Sequence, residues 1–248
     1  MANPVSSIYD VQGNSWYSPK EIINRFEQVR SVYGIHIYDN VFKKAHEMFA
    51  GAVALLGAYE LSPENKYFMQ LNTQSSSPDV IAAKQTEHGE TGILLEISQI
   101  EITEFEDHFK SDDIIKFLKS TKLSPKKDYG DKVMIVCVIN KKVPFDHKKV
   151  HKTLNEIKPK STIYIIGRPI DAEMGNFTIC TPYPKLTKPL NFNVDATAAK
   201  YIIPERVRFN FGIEEKISYS KAKLEPVNTY EVLGLNRDRI YKKFNIKD

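Results

Sequence analysis

The segment that begins after Asp39 or Asn40 and ends near Gly57 constrains the fold most. Ala45, Met48, Phe49, Ala52, Val53, Leu55 and Leu56 make it apolar around most of its girth. A helix of that kind has no solvent face and must be enclosed by other elements. Glu47 is its discordant member, because Gly51, Ala54 and Ala58 continue its stripe with residues small enough to let another backbone approach. A carboxylate in that position is either functional or at the rim of the enclosure.

What surrounds such a helix is read from caps and periods. Ser18-Pro19-Lys20-Glu21 has capping-box spacing with proline at the first helical position, which predicts a helix from Pro19 to about Tyr33, facing inward through Ile22, Phe26 and Val29. Beyond the enclosed helix, Lys66 to Leu71, Asp79 to Ala83 and Ile93 to Ile102 read as an antiparallel meander, the last two strands joined through Glu87-His88-Gly89-Glu90. Ser111 or Asp112 then caps a short helix through Leu118. Lys132 to Ile139 is a continuous apolar strand, His147 to Ile157 a helix and Thr162 to Ile166 another strand. Apolar strands between helices imply a covered central sheet. Further on, Asn176 to Pro182 reads as a strand, and Arg206 to Ile213 with Lys216 to Lys223 as a hairpin.

The expected class is therefore α/β, a mixed central sheet flanked by helices. The core is placed at residues 39–170, with an N-terminal helical extension over 1–38 and a β-rich extension over 171–248 packed on it. The N-terminal residues lack the order of a signal peptide, and the longest apolar run, Phe49 to Ala58, is too short to span a bilayer, so an intracellular, cytoplasmic protein with no membrane partner is expected. Cys137 and Cys180 sit in apolar runs and read as buried free thiols. No phosphate-binding loop, GxGxxG, GxSxG or CxxC is present, which argues against common nucleotide-binding, hydrolase-elbow and thiol-redox mechanisms. His147 and His151 share a helix face but lack a third ligand, so zinc is not expected.

Charge is segregated along the chain. Asp79 to Leu118 holds ten acidic residues against three basic ones, whereas Lys119 to Lys160 holds twelve lysines against four acids. Solvated helix and loop faces would give such a division, and so would a cation-collecting region beside a surface for a polyanion. Within the acidic part, Pro78-Asp79 opens one strand and Glu96 lies inside the next, a pairing that would make a hard-oxygen site for a divalent cation if the two carboxylates converge.

With that dyad, the order helix, three-strand meander, helix, strand, helix, strand resembles the PD-(D/E)xK nuclease superfamily of restriction and repair endonucleases, over about Asp39 to Gly167. The resemblance implies a restriction-endonuclease-like fold and a magnesium- or manganese-dependent endodeoxyribonuclease acting on duplex DNA. It assigns Asp79 and Glu96 as metal ligands and catalytic residues, with help from the Ile97 carbonyl and from Glu47 on the preceding helix. The family's lysine two residues after the glutamate is replaced here by Ser98, which carries no positive charge. Gln99 and Lys84 are the local candidates for its function, each needing a bulge or a particular hairpin register.

DNA contacts are expected from Lys126, Lys127, Lys141, Lys142, Lys148, Lys149 and Lys152. Arg206 and Arg208 join them, alternating with apolar Val207 and Phe209 so that one strand face would meet the DNA. A homodimer is the usual arrangement for symmetric duplex cleavage. Two alternatives stand beside the nuclease. One is a catalytically lapsed DNA-binding protein of the same fold, favoured by Ser98, and the other is a protein-interaction module with no nucleic-acid role.

Overall fold

The computed structural model describes residues 15–71, 78–88, 92–124, 127, 129–169, 173, 175–201, 205–211, 217–220 and 228–246, with backbone alone for 85–88, 92–94, 208–211 and 217–220. Ten strands form one mixed sheet flanked by helices, the α/β architecture expected from the element pattern.

The first elements behave as their caps dictate. β1 (Ser15–Tyr17) leads into α1 (Pro19–Tyr33), where Ser18 Oγ accepts from the Glu21 amide at 3.2 Å and Gly34, at φ +56°, closes the helix by donating its N–H to the Arg30 carbonyl. Two short 3-10 segments, Gly34–Tyr38 and Asn40–Phe42, precede α2 (Lys43–Leu61), the second capped by Asp39. α2 runs one turn beyond its expected end at Gly57. Gly51 and Ala52 through Ala58 are all buried, as is Glu47 at 7% exposure.

β2 (Phe68–Leu71), β3 (Val80–His88) and β4 (Gly92–Phe105) form the antiparallel meander. α3 (Ile114–Thr121), β5 (Val133–Ile139), α4 (His147–Ile157) and β6 (Thr162–Gly167) continue it as parallel β-α-β units, since β4, β5 and β6 run in one direction. Asp113, rather than Ser111 or Asp112, caps α3, accepting from Ile115 and Lys116 amides at 2.8 and 3.1 Å. β7 (Asn176–Tyr183) and β8 (Leu190–Asn193) extend the sheet antiparallel beyond β6. α5 (Val194–Lys200) follows. β9 (Arg206–Phe211) and β10 (Ile217–Ser220) pair as the expected hairpin and join the sheet through β1, giving the order β10-β9-β1-β2-β3-β4-β5-β6-β7-β8. α6 (Thr229–Val232) and α7 (Arg237–Phe244) end the chain, and Ile240 is fully buried. Residues before 39 and after 170 thus share one sheet and one core with the segment between them.

Side-chain alternation sorts the two faces. Val80, Ala82, Ile100, Ile102, Met134 and Val136 pack with α1 and α2. On the opposite face Phe105, Ile135 and Cys137 pack with α3 and α4, while Ile81, Ala83 and Val207 enclose Trp16. Cys137 and Cys180 are free, buried thiols, and burial holds both above the usual thiol pKa. Among the described residues no helix is long and apolar enough to cross a membrane.

Candidate functional site

The β3–β4 register decides which carboxylates meet. Val80 lies opposite Ile100 and Lys84 opposite Glu96. Asp79, one residue before β3, therefore falls opposite Glu101. Glu96 is five residues away along β4, about 16 Å at the usual strand rise, and five is odd, so it projects from the other face. Asp79 and Glu96 do not converge on one ion. Glu96 instead pairs with Lys84 across the ladder, Nζ to Oε2 3.4 Å, and the same ammonium lies 5.2 Å from the Tyr67 ring centroid.

That corrects the whole local motif. Ser98 is buried and hydrogen-bonds the Tyr67 hydroxyl, whose pKa is driven up by burial and by the Glu96 charge. Lys84 serves the ion pair and is not available to Asp79. Gln99 lies on the opposite face from Glu96, with its backbone N–H donating to the Lys132 carbonyl at 2.9 Å. Ile97 packs with the Trp16 cluster and pairs with Ala83 inside the ladder, remote from Asp79.

Asp79 has other company. Its Oδ2 accepts the Ile102 amide at 2.8 Å, extending the ladder past the start of β3. Lys122, the residue that closes α3, sends its ammonium to Glu101 Oε2 at 2.7 Å and to Asp79 Oδ2 at 3.8 Å. Tyr129 donates to the same Glu101 oxygen at 3.3 Å. Packing and one long-range hydrogen bond fix the two ends of this arrangement. Ile114, Ile115, Phe117 and Leu118 seat α3 on the sheet, and the loop carrying Tyr129 is tied down by Ser161 Oγ on the Gly130 carbonyl at 3.2 Å.

Glu101 is 2% exposed, so the pair is a buried one, stable only because each charge has a partner. Burial raises the Asp79 carboxyl above its ordinary 3.8, and the Glu47 and Glu101 charges act in the same direction, against the Ile102 hydrogen bond and Lys122. Glu47 is held between Lys43 and Lys44, at 3.6 and 2.9 Å. Its charge reaches Asp79 and also Glu104, where burial and the neighbouring Glu106 raise the carboxyl pKa. Among the described residues no group of three or more His, Cys, Asp or Glu side chains is placed to hold a metal ion.

Sequence reasoning missed Glu101, Lys122 and Tyr129. The alternation Gln99-Ile100-Glu101-Ile102-Thr103 carried a signal for Glu101, since it marks a half-polar strand face. No local pattern marks Lys122 as facing it.

The basic residues divide. Lys148, Lys149 and Lys152 are exposed on α4, and Lys127 and Lys142 are exposed in the segments before and after β5. Lys141 is not a surface cation: its side chain is 13% exposed, pairs with Asp112 at 2.6 Å and donates to the Phe109 carbonyl at 2.9 Å. Arg206 is also withdrawn, at 7% exposure on the face that bears Tyr17, so it does not front a groove. Lys126 and the side chain of Arg208 lie outside the described residues. Comparison of the chain with protein-family models, with curated proteins and with solved structures yields no match.

Proposed function

We propose that the chain is a divalent-cation-dependent phosphodiester hydrolase acting on DNA, of the PD-(D/E)xK type. Asp79 and Glu101 form the acidic pair and Lys122 supplies the positive charge that Ser98 cannot. One observation carries this reading: a single ammonium stands within 4 Å of an oxygen of each carboxylate. The element order supports it, with α2 and Glu47 before the meander and a parallel β-α-β unit after it.

The donor set fits a hard cation. Asp79 and Glu101 offer carboxylate oxygens, and Asp79 is an anion disfavoured by burial and by its acidic neighbours, which an added positive charge would relieve. Magnesium or manganese held there would supply Lewis-acid activation of water and neutralisation of phosphate charge. Lys122 then orients the scissile phosphate and balances the two carboxylates, while Tyr129 fixes Glu101. Attack of water at phosphorus breaks the bond to the 3′ oxygen and leaves a 5′ phosphate. Exposed Lys119, Lys127 and Lys132 flank the site in sequence and suit a phosphate backbone. Cutting both strands symmetrically would need a homodimer.

A second reading is a DNA-binding protein of this fold in which the chemistry has lapsed. It is favoured by the closed Lys122–Glu101 pair, which already satisfies Glu101 from within the chain. Incubation of the purified chain with plasmid DNA and magnesium or manganese, beside Asp79→Asn and Glu101→Gln, separates the two. Cutting lost in both variants supports the hydrolase, and salt-sensitive retention of DNA without cutting supports the lapsed binder. With neither, both fall and a protein-interaction module remains.

A further inference from the structure

A cavity of about 1000 Å³ opens at the carboxyl ends of β5 and β6, roofed by α1 and α2. That volume suits a small organic ligand. Asp79, Glu101 and Lys122 do not line it, so its ligand is separate from the acidic pair and from any phosphate held there. The cavity stands on its own, whether or not the chain cuts DNA.

Its apolar walls are aromatic. Phe26 and Phe49 stack with ring centroids 4.4 Å apart, Phe177 meets Phe49 edge-on at 6.5 Å, and exposed Tyr38 stands at the rim. A further ring among these would make the offset and edge contacts that aromatic groups prefer.

Two opposite charges line the cavity with those rings. Glu104, near the end of β4, keeps the parity of Ile100 and Ile102 and so takes the α2 side of the sheet. Its Oε2 accepts from Asn140 Nδ2 at 2.9 Å. Arg168 follows the last residue of β6, and its guanidinium lies 5.3 Å from the Phe177 ring centroid. Glu104 lies opposite Val138 and Val138 opposite Ile166, so Glu104 and Arg168 are two strand spacings apart sideways and two residues apart lengthwise, about 12 Å between Cα atoms. Among the described residues neither has an ion-pair partner. Burial disfavours the Glu104 anion and the neighbouring Glu106 charge adds to that, so an arriving ammonium would relieve it. The exposed Arg168 guanidinium offers a fork of donors to a carboxylate. Extended toward each other, the two side chains would cover most of the interval, and a short zwitterion would bridge the rest. A nucleotide is the poorer fit, because its phosphate would enter a cavity lined by both Glu104 and Glu106.

We propose that this cavity binds a free amino acid with an aromatic side chain, its α-ammonium on Glu104, its carboxylate on Arg168 and its ring among Phe26, Phe49 and Phe177.

Isothermal titration calorimetry on the full chain tests each contact, with L-phenylalanine, L-tryptophan, phenethylamine, 3-phenylpropionate, L-alanine and AMP as probes. At least one of the two aromatic amino acids should bind with a Kd of about 1 mM or tighter. Phenethylamine lacks the carboxylate and 3-phenylpropionate the ammonium, and each should bind at least about 10-fold more weakly than L-phenylalanine, the scale of one hydrogen bond to a charged group. L-alanine, which lacks the ring, should fall at least as far. Arg168→Ala should bring L-phenylalanine and phenethylamine to within about twofold of each other, and Glu104→Gln should do the same for L-phenylalanine and 3-phenylpropionate. Thermal melts confirm that both variants fold, and the comparison of probes on the wild type decides the matter if either does not. Absence of saturable heat from both aromatic amino acids up to about 20 mM overturns the proposal. Equal binding of L-phenylalanine, phenethylamine and 3-phenylpropionate overturns it, as do preferences that survive in both folded variants. AMP binding as tightly as the aromatic amino acids overturns it in favour of a nucleotide site.

Discussion

Lys122 Nζ lies 2.7 Å from Glu101 Oε2, joining the end of a helix to the middle of a strand. The ammonium also lies 3.8 Å from Asp79, so three side chains from three elements meet at the point where β3 begins. The effects of changing Glu101 and Asp79 follow from that meeting.

Glu101→Gln should reduce cation-dependent DNA cutting by at least about 100-fold, the scale of removing one group that acts at the transition state. Glu96→Gln should leave the rate within about threefold, because Glu96 is turned away and paired with Lys84. Initial rates on plasmid DNA check both, and the reverse ranking would return the site to Glu96.

Asp79→Asn should stabilise the fold while removing activity. The Asp79 carboxyl pKa is raised, mainly by burial, so the folded state prefers the protonated form. The penalty is fully present above the raised pKa. It fades as pH falls through that value and is gone below the ordinary 3.8 of the unfolded chain. Asparagine keeps an acceptor for the Ile102 amide and carries no charge. The variant's Tm should exceed the wild type's at neutral pH, with the gap closing towards about pH 4. Magnesium should raise the wild-type Tm and leave the variant's unchanged.

Lys141→Ala and the triple change of Lys148, Lys149 and Lys152 to Ala should have opposite profiles. Lys141 is enclosed by Asp112, the Phe109 carbonyl and the Phe105 ring, so its removal should cost about 1–3 kcal/mol of stability with no change in DNA retention. The triple variant should fold normally, and its log-affinity against log-salt slope should become shallower by roughly 0.9 for each lysine that had neutralised a phosphate. Denaturant titration and DNA binding at several salt concentrations read the two effects.

Gly57→Ala should destabilise although alanine favours helix. A Cβ there would lie 2.7 Å from Ile179 Cδ1 and 3.1 Å from Phe192 Cε1, both on strands that the helix covers. Overpacking costs about 1–3 kcal/mol and the propensity gain returns about 1, leaving a net destabilisation near about 1 kcal/mol. Urea midpoints measure it.

Most elements were legible because their signals are local. Ser18-Pro19 started α1 where the capping box placed it, and His147 to Ile157 matches α4 at both ends. β1 and β8 were missed: a three-residue and a four-residue strand hold too little alternation to stand out, and both exist because a neighbouring strand pairs with them. The site was half legible. Pro78-Asp79 marked the start of a strand, but the register places Glu101 opposite it where Glu96 had been expected.

The sequence by itself determined the enclosed helix, the meander and the α/β order, since caps and hydrophobic period act within a few residues. Only the tertiary structure decided that Asp79 faces Glu101, that Lys122 reaches both, and that Lys141 and Arg206 are withdrawn. Alternation tells which face a side chain takes, yet it is unchanged when a strand slides by two residues. Choosing among those registers falls to packing against β2, β5 and α2, which is supplied by residues far away in the chain.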